Sequence, residues 1–217
     1  MVIVFGCGRS GTNLVLEMLR GNPYFVASEP PEDKLVFYRK GYPENYLTKC
    51  DTIYCNWSLF SQYMNTISHC RIVWTVRDPR DMALSKIYRG YGRADDATLN
   101  GCLGDLFYMY GFYRMANDRF GDRIYTVKME NVITDIESIS KDVCGWYGIE
   151  HHPDMLTPHL RMRHKGKRER YKSLDRFQIG LWKRYDEIYD GFFRNKREMV
   201  ETLFNSLKPL VEYFGYG

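Results

Sequence analysis

The first thirteen residues constrain the fold more than any other stretch of the chain. Val2-Ile3-Val4-Phe5 is a short apolar run, Gly6-Cys7-Gly8-Arg9-Ser10-Gly11 is a glycine-rich turn, and Thr12-Asn13 lead into a helical pattern from Leu14. A buried strand that turns through glycines into a helix N-terminus aims backbone N–H groups at one point, and that point suits an anion. Nucleotide-hydrolysing loops place Lys directly after the last glycine, then Ser or Thr for magnesium. Here those places hold Thr12 and Asn13, and the positive charge sits earlier, at Arg9. The loop reads as a cradle for a nucleotide 5′-phosphate group that needs neither magnesium nor a third phosphate. Its expected contacts are Gly8, Arg9, Ser10, Gly11, Thr12 and Asn13, with no metal.

A second anchor lies further on. Arg71-Ile72-Val73-Trp74-Thr75-Val76 is almost continuously apolar, as a strand buried on both faces is. It runs into Arg77-Asp78-Pro79-Arg80-Asp81, and Ser85 follows on the same helical pattern. Pro79 suits the first helical turn, where its missing N–H costs nothing. An Arg at a strand end and a Ser one or two helical turns later can converge on one phosphate, and the guanidinium fork matches its oxygens.

Together the two motifs resemble the sulfotransferase family, whose members use 3′-phosphoadenosine-5′-phosphosulfate (PAPS). Arg9-Ser10-Gly11-Thr12 matches the family's loop for the 5′-phosphosulfate, in the Arg-bearing variant of carbohydrate-type members. Arg77 and Ser85 match the ligands of its 3′-phosphate motif. Ile124 to Val132 resembles the strand and turn of a third block, with Met129 and Asn131 in the places of Tyr and Asp. The resemblance covers residues 2 to 147, with an echo at Gly180-Leu181-Trp182-Lys183. It implies a PAPS-dependent enzyme, with PAPS as co-substrate, moving a sulfuryl group to a hydroxyl or amine of a carbohydrate or other small acceptor.

Strands are expected near 2–5, 24–27, 52–55, 71–76 and 124–128. Helices are expected near 12–21, 57–67, 80–90, 98–117, 135–147 and 196–214. Alternating strands and helices imply an α/β fold: a parallel β-sheet flanked by helices on both faces. The resemblance makes this the P-loop NTPase-like sulfotransferase architecture, in one domain over 1–217 with a basic segment at about 151–176 and a helical C-terminus. Both phosphate motifs then fall at strand C-termini, where such sheets bind ligands. Residues 89–101 read as a polar connection bordering the acceptor. Between Arg161 and Lys172 Glu169 is the lone acidic residue among many Arg and Lys. Such a run reads as a solvated face or as a basic flap over the cofactor, with His164-Lys165-Gly166 nearest to the family's Arg-Lys-Gly loop.

A chain of 217 residues with 44% hydrophobic content can fill one core. The formal net charge of +4 fits an anionic co-substrate and is too weak to imply a nucleic-acid partner. The six Cys form no Cys-x-x-Cys pair, which reads as reduced cysteine and a cytoplasmic location. Met1 directly precedes the first strand, so no leader is expected, and no apolar run approaches the ~20 residues of a membrane span.

Sulfuryl transfer needs neutralisation of the leaving 5′-phosphate and a sink for the acceptor's proton. Arg9 and the helix N-terminus at Thr12 suit the first task. Glu29, in Ser28-Glu29-Pro30, follows an early strand as the catalytic Glu of carbohydrate-type members does, and is the expected base. Lys49 matches a Lys that many members carry, and Trp57 is open to stacking on adenine or packing in the core. Two other readings stand beside the enzyme: a P-loop kinase, which Thr12 and Asn13 oppose, and a non-catalytic nucleotide or nucleic-acid binder.

Overall fold

The computed structural model describes residues 1–88, 95–162, 179–189 and 191–217. Among these residues five strands form one sheet: β1 (Val2–Gly6), β2 (Val26–Glu32), β3 (Tyr46–Asp51), β4 (Arg71–Val76) and β5 (Ile124–Lys128). Their order is β2-β3-β1-β4-β5, and every pairing is parallel. β1 is central and buried along its whole length, as its uninterrupted apolar sequence requires.

The two-residue alternation of β1 divides the core. Ile3 and Phe5 face one layer of helices, and Val2 and Val4 face the other. The first layer holds α2 (Trp57–Thr66), α3 (Pro79–Lys86) and α4 (Asp96–Phe120). Phe5 is its hub, with ring centroids of Trp74 at 4.8 Å and of Phe60 and Phe112 at 5.7 Å. The second layer holds α1 (Thr12–Leu19), α5 (Met129–Thr134) and α6 (Ile136–Tyr147). A short helix, α7 (Tyr185–Ile188), precedes α8 (Arg197–Tyr213), which returns to the first layer through Val200, Leu203, Leu207 and Leu210.

The chain leaves β1 through α1 on one face and leaves β4 through α3 on the other. β1 and β4 are neighbours, so a crevice opens between their C-terminal ends. Open parallel sheets bind ligands at such a switch point, and both motifs expected to hold phosphates begin there.

Two strands differ from expectation. The third spans Tyr46–Asp51 rather than 52–55, because Thr52–Tyr54 forms a 3₁₀ turn capped by Asp51. Lys49 and Asp51 disguise β3, while Ile53-Tyr54-Cys55 imitates a buried run. The second spans Val26–Glu32 rather than 24–27. It runs through Pro30 and Pro31, which an edge strand tolerates because its outer N–H groups need no partner. Residues 89–94 of the expected polar connection and 163–176 of the basic segment, including His164-Lys165-Gly166, lie outside the described residues.

Candidate functional site

The loop after β1 is shaped by close approach. A Cβ on Gly6 would stand 2.4 Å from Thr75 Oγ1 and 2.8 Å from the Thr75 carbonyl oxygen, so a side chain there would force β4 away. Ser10 is fully buried, and its Oγ lies 2.7 Å from Thr75 Oγ1. Its N–H donates to the Cys7 carbonyl at 3.1 Å. Ser10 therefore fastens the loop to β4 through its side chain. Gly11 has φ 96° and ends the loop at the start of α1, and a Cβ there would press on Met129 at 2.9 Å.

Among the described residues no side chain caps α1, and no acidic residue stands in its first turn. By contrast Asn56, Asp78, Asp95 and Asp135 cap α2, α3, α4 and α6. The leading N–H groups of α1 at Thr12 and Asn13 and the positive end of its dipole stand at the end of the helix that meets the loop, an arrangement suited to an anion.

Arg9 is exposed and holds φ at 77°, the one non-glycine residue with positive φ among those described. Its Nε donates to Ser85 Oγ at 2.9 Å. This bond joins the two sequence motifs across 76 positions and brings both to one place.

Arg77 is 5% exposed, with Nη2 3.6 Å from Asp81 Oδ2 one helical turn on. Asp81 is fully buried, and its Oδ1 accepts from the Trp182 N–H at 2.7 Å. Burial raises the Asp81 carboxyl to about 6, against the pull of Arg77 and of that N–H. Asp78 caps α3, and Arg80 forks onto it at 3.0 and 2.7 Å. The Arg80 guanidinium also lies 3.7 Å from the centre of the Trp182 ring. The Gly180–Lys183 echo is thus clasped to α3. Glu130 completes this wall, accepting from Asp78 N–H at 2.9 Å and Tyr216 hydroxyl at 2.7 Å.

Glu29 lies in β2, where the register slips between Ala27, level with Leu47, and Glu32, level with Lys49. Its side chain is 60% exposed, and its Oε1 accepts from Arg20 Nη2 at 3.1 Å. Arg20 is the C-cap residue of α1, at the end of that helix opposite the loop. Lys49 pairs with Glu32 at 3.0 Å. Trp57 packs in the aromatic core, 6.0 Å from Phe60 and 5.9 Å from Phe112.

Three residues beside the loop were not singled out from sequence. Thr75 is a polar residue in an apolar strand, a break in pattern that marks a buried partner. Lys86 directly follows Ser85; its Nζ lies 2.8 Å from Asp105 Oδ2 and 3.6 Å from Cys7 Sγ. Burial pushes the Cys7 thiol up to about 11 despite Lys86, so Cys7 stays protonated near neutrality. Asp51 ends β3 beside Gly8, hidden from a sequence reading that put the strand too late.

The fold and this crevice define the class: the chain has the sulfotransferase fold. It aligns with a sulfotransferase domain from the curacin biosynthetic pathway at TM-score 0.67 and 10% identity, over 84% of this chain and 90% of that one. Mouse sulfotransferase SULT7A1, solved with PAP (3′-phosphoadenosine 5′-phosphate), aligns at TM-score 0.60 and 15% identity, over 94% and 88%. Retinol dehydratase, solved with retinol and PAP, aligns at TM-score 0.53 and 12% identity, over 95% and 81%. No protein-family model and no curated protein matches the sequence. No helix among the described residues is long and apolar enough to cross a membrane.

Proposed function

We propose that the chain is a PAPS-dependent sulfotransferase that moves a sulfuryl group to a hydroxyl or amine of a carbohydrate or other small acceptor. The observation that carries this reading is the bond from Arg9 to Ser85, which unites the loop and the α3 motif in one crevice of a sulfotransferase fold. PAPS supplies the activated sulfuryl group. Gly8, Ser10 and Gly11 shape the loop; Thr12 and Asn13 present backbone N–H groups to its 5′-phosphate; Arg9 neutralises charge on the leaving oxygen. Arg77 and Ser85 receive the 3′-phosphate. The solved structures with PAP support this choice of ligand for the same fold. Thr12 and Asn13 stand against the kinase reading, because neither supplies the Lys that a third phosphate requires.

The test is transfer of ³⁵S from labelled PAPS to a panel of sugars, phenols, alcohols and amines, each with EDTA present. Label in any acceptor, dependent on Arg9, supports the reading. Phosphate transfer from magnesium-ATP with no label transfer from PAPS overturns it.

A further inference from the structure

A carboxylate that neither phosphate motif uses stands at the mouth of the loop. Asp51 ends β3 level with Gly6, the last residue of β1. One oxygen is anchored: Oδ1 accepts from the Ile53 N–H at 3.3 Å and the Thr52 hydroxyl at 3.4 Å. The other faces the loop. A methyl group built on Gly8 would lie 3.0 Å from Oδ2, so the missing side chain of Gly8 opens the space into which that oxygen looks. No hydrogen bond reaches Oδ2 among the described residues.

The other acids near the loop have partners of their own, and both oxygens of Glu130 accept, one from the Asp78 N–H and one from the Tyr216 hydroxyl. Glu32 is held by Lys49, Asp105 by Lys86, Asp78 by Arg80 and Asp81 by Arg77. Glu29 is level with a point between Leu47 and Lys49, at least two residues short of Asp51 along the sheet. At a rise of about 3.3 Å per residue that is roughly 7 Å below the edge where the loop opens, and Arg20 holds it there.

We propose that Asp51, in place of Glu29, is the general base that takes the acceptor's proton. This rests on the sulfotransferase reading above. As the acceptor oxygen or nitrogen forms its bond to sulfur, its proton passes to Asp51 Oδ2. The bond from sulfur to the 5′-phosphate oxygen breaks, and its electron pair leaves on that oxygen as PAP departs. Burial raises the Asp51 carboxyl above its ordinary value, while the Ile53 N–H and the charge of Lys86 pull it back. A carboxylate moved in that direction is better matched to proton transfer near neutrality.

The experiment compares wild type, Asp51→Asn, Asp51→Glu and Glu29→Gln. Asn keeps the Oδ1 acceptor that caps Thr52–Tyr54, so the fold is retained. PAP binding is measured by calorimetry, and label from ³⁵S-PAPS is followed into the acceptor panel and into free sulfate, with water as the acceptor of last resort. The expected result is PAP affinity within about threefold for all variants, with label transfer about 10²–10⁴-fold lower in Asp51→Asn and near wild type in Glu29→Gln. Asp51→Glu, which keeps a carboxylate one methylene away, falls between. Wild-type transfer by Asp51→Asn overturns the proposal, and a matching loss in Glu29→Gln returns the role to Glu29. Failure of every protein to bind PAP overturns the sulfotransferase reading instead.

Discussion

Arg9 stands in a backbone conformation that its side chain disfavours, with φ at 77°. Holding a non-glycine residue there costs on the order of 1–3 kcal/mol, and such strain persists where the surroundings over-determine it. The surroundings here are the Ser10–Thr75 contact on one side and the bond to Ser85 on the other. Those contacts hold the guanidinium in place at a cost in backbone strain, which separates stability from function. Arg9→Gly is expected to hold or raise the melting temperature while weakening PAP binding about tenfold or more, since charge-assisted hydrogen bonds contribute roughly 1.5–3 kcal/mol. Calorimetry and thermal melts on the same sample check both halves. Arg77 makes a second contrast. Arg77→Ala is expected to weaken PAP binding about tenfold or more and adenosine 5′-phosphate binding much less, because only PAP carries the 3′ group. Equal losses for the two ligands would make the Arg77–Asp81 pair a purely structural contact.

At the scale of elements, the crevice depends on how closely β1 and β4 approach and on what clasps α3. Gly6→Ala would drive a methyl group into the Thr75 carbonyl, at 2.8 Å, and is expected to destabilise the protein by about 1–3 kcal/mol, read from denaturant melts. Asp81 links α3 to Trp182 and carries a carboxyl raised to about 6. The native state therefore keeps the Asp81 proton to higher pH than the unfolded chain, whose Asp titrates near 3.9. By linkage, this residue's contribution to stability is fully present at low pH and declines as pH rises from about 4 to about 6. Asp81→Asn keeps the acceptor for the Trp182 N–H and removes the titration. Its stability, measured by urea unfolding across that range, is expected to lose the downward slope that wild type has there. A wild-type profile without that component would contradict the raised carboxyl.

Across the whole molecule, the parts of the fold that were legible in the sequence are those whose local pattern agrees with their environment. β1 and β4 read clearly because burial on both faces demands unbroken apolar residues, and the loop read clearly because glycines mark close backbone approach. β3 did not, since Lys49, which pairs with Glu32, and Asp51, which caps the turn that follows, break the apolar run. Asp51 was therefore not singled out, and neither the register slip of β2 nor the contact of Glu29 with Arg20 shows in the sequence. Such offsets come from pairing between strands, which no local window contains. The Arg9–Ser85 bond is likewise a product of the sheet order that makes β1 and β4 neighbours. The central claim is that this crevice takes a nucleotide with 5′- and 3′-phosphates and without a metal. Thermal unfolding with PAP in EDTA tests it most directly. At about 100 times its dissociation constant PAP should stabilise the protein by roughly 2.7 kcal/mol, equally with and without EDTA, while ATP with magnesium leaves the transition in place. A magnesium-dependent shift with ATP and none with PAP would contradict the account.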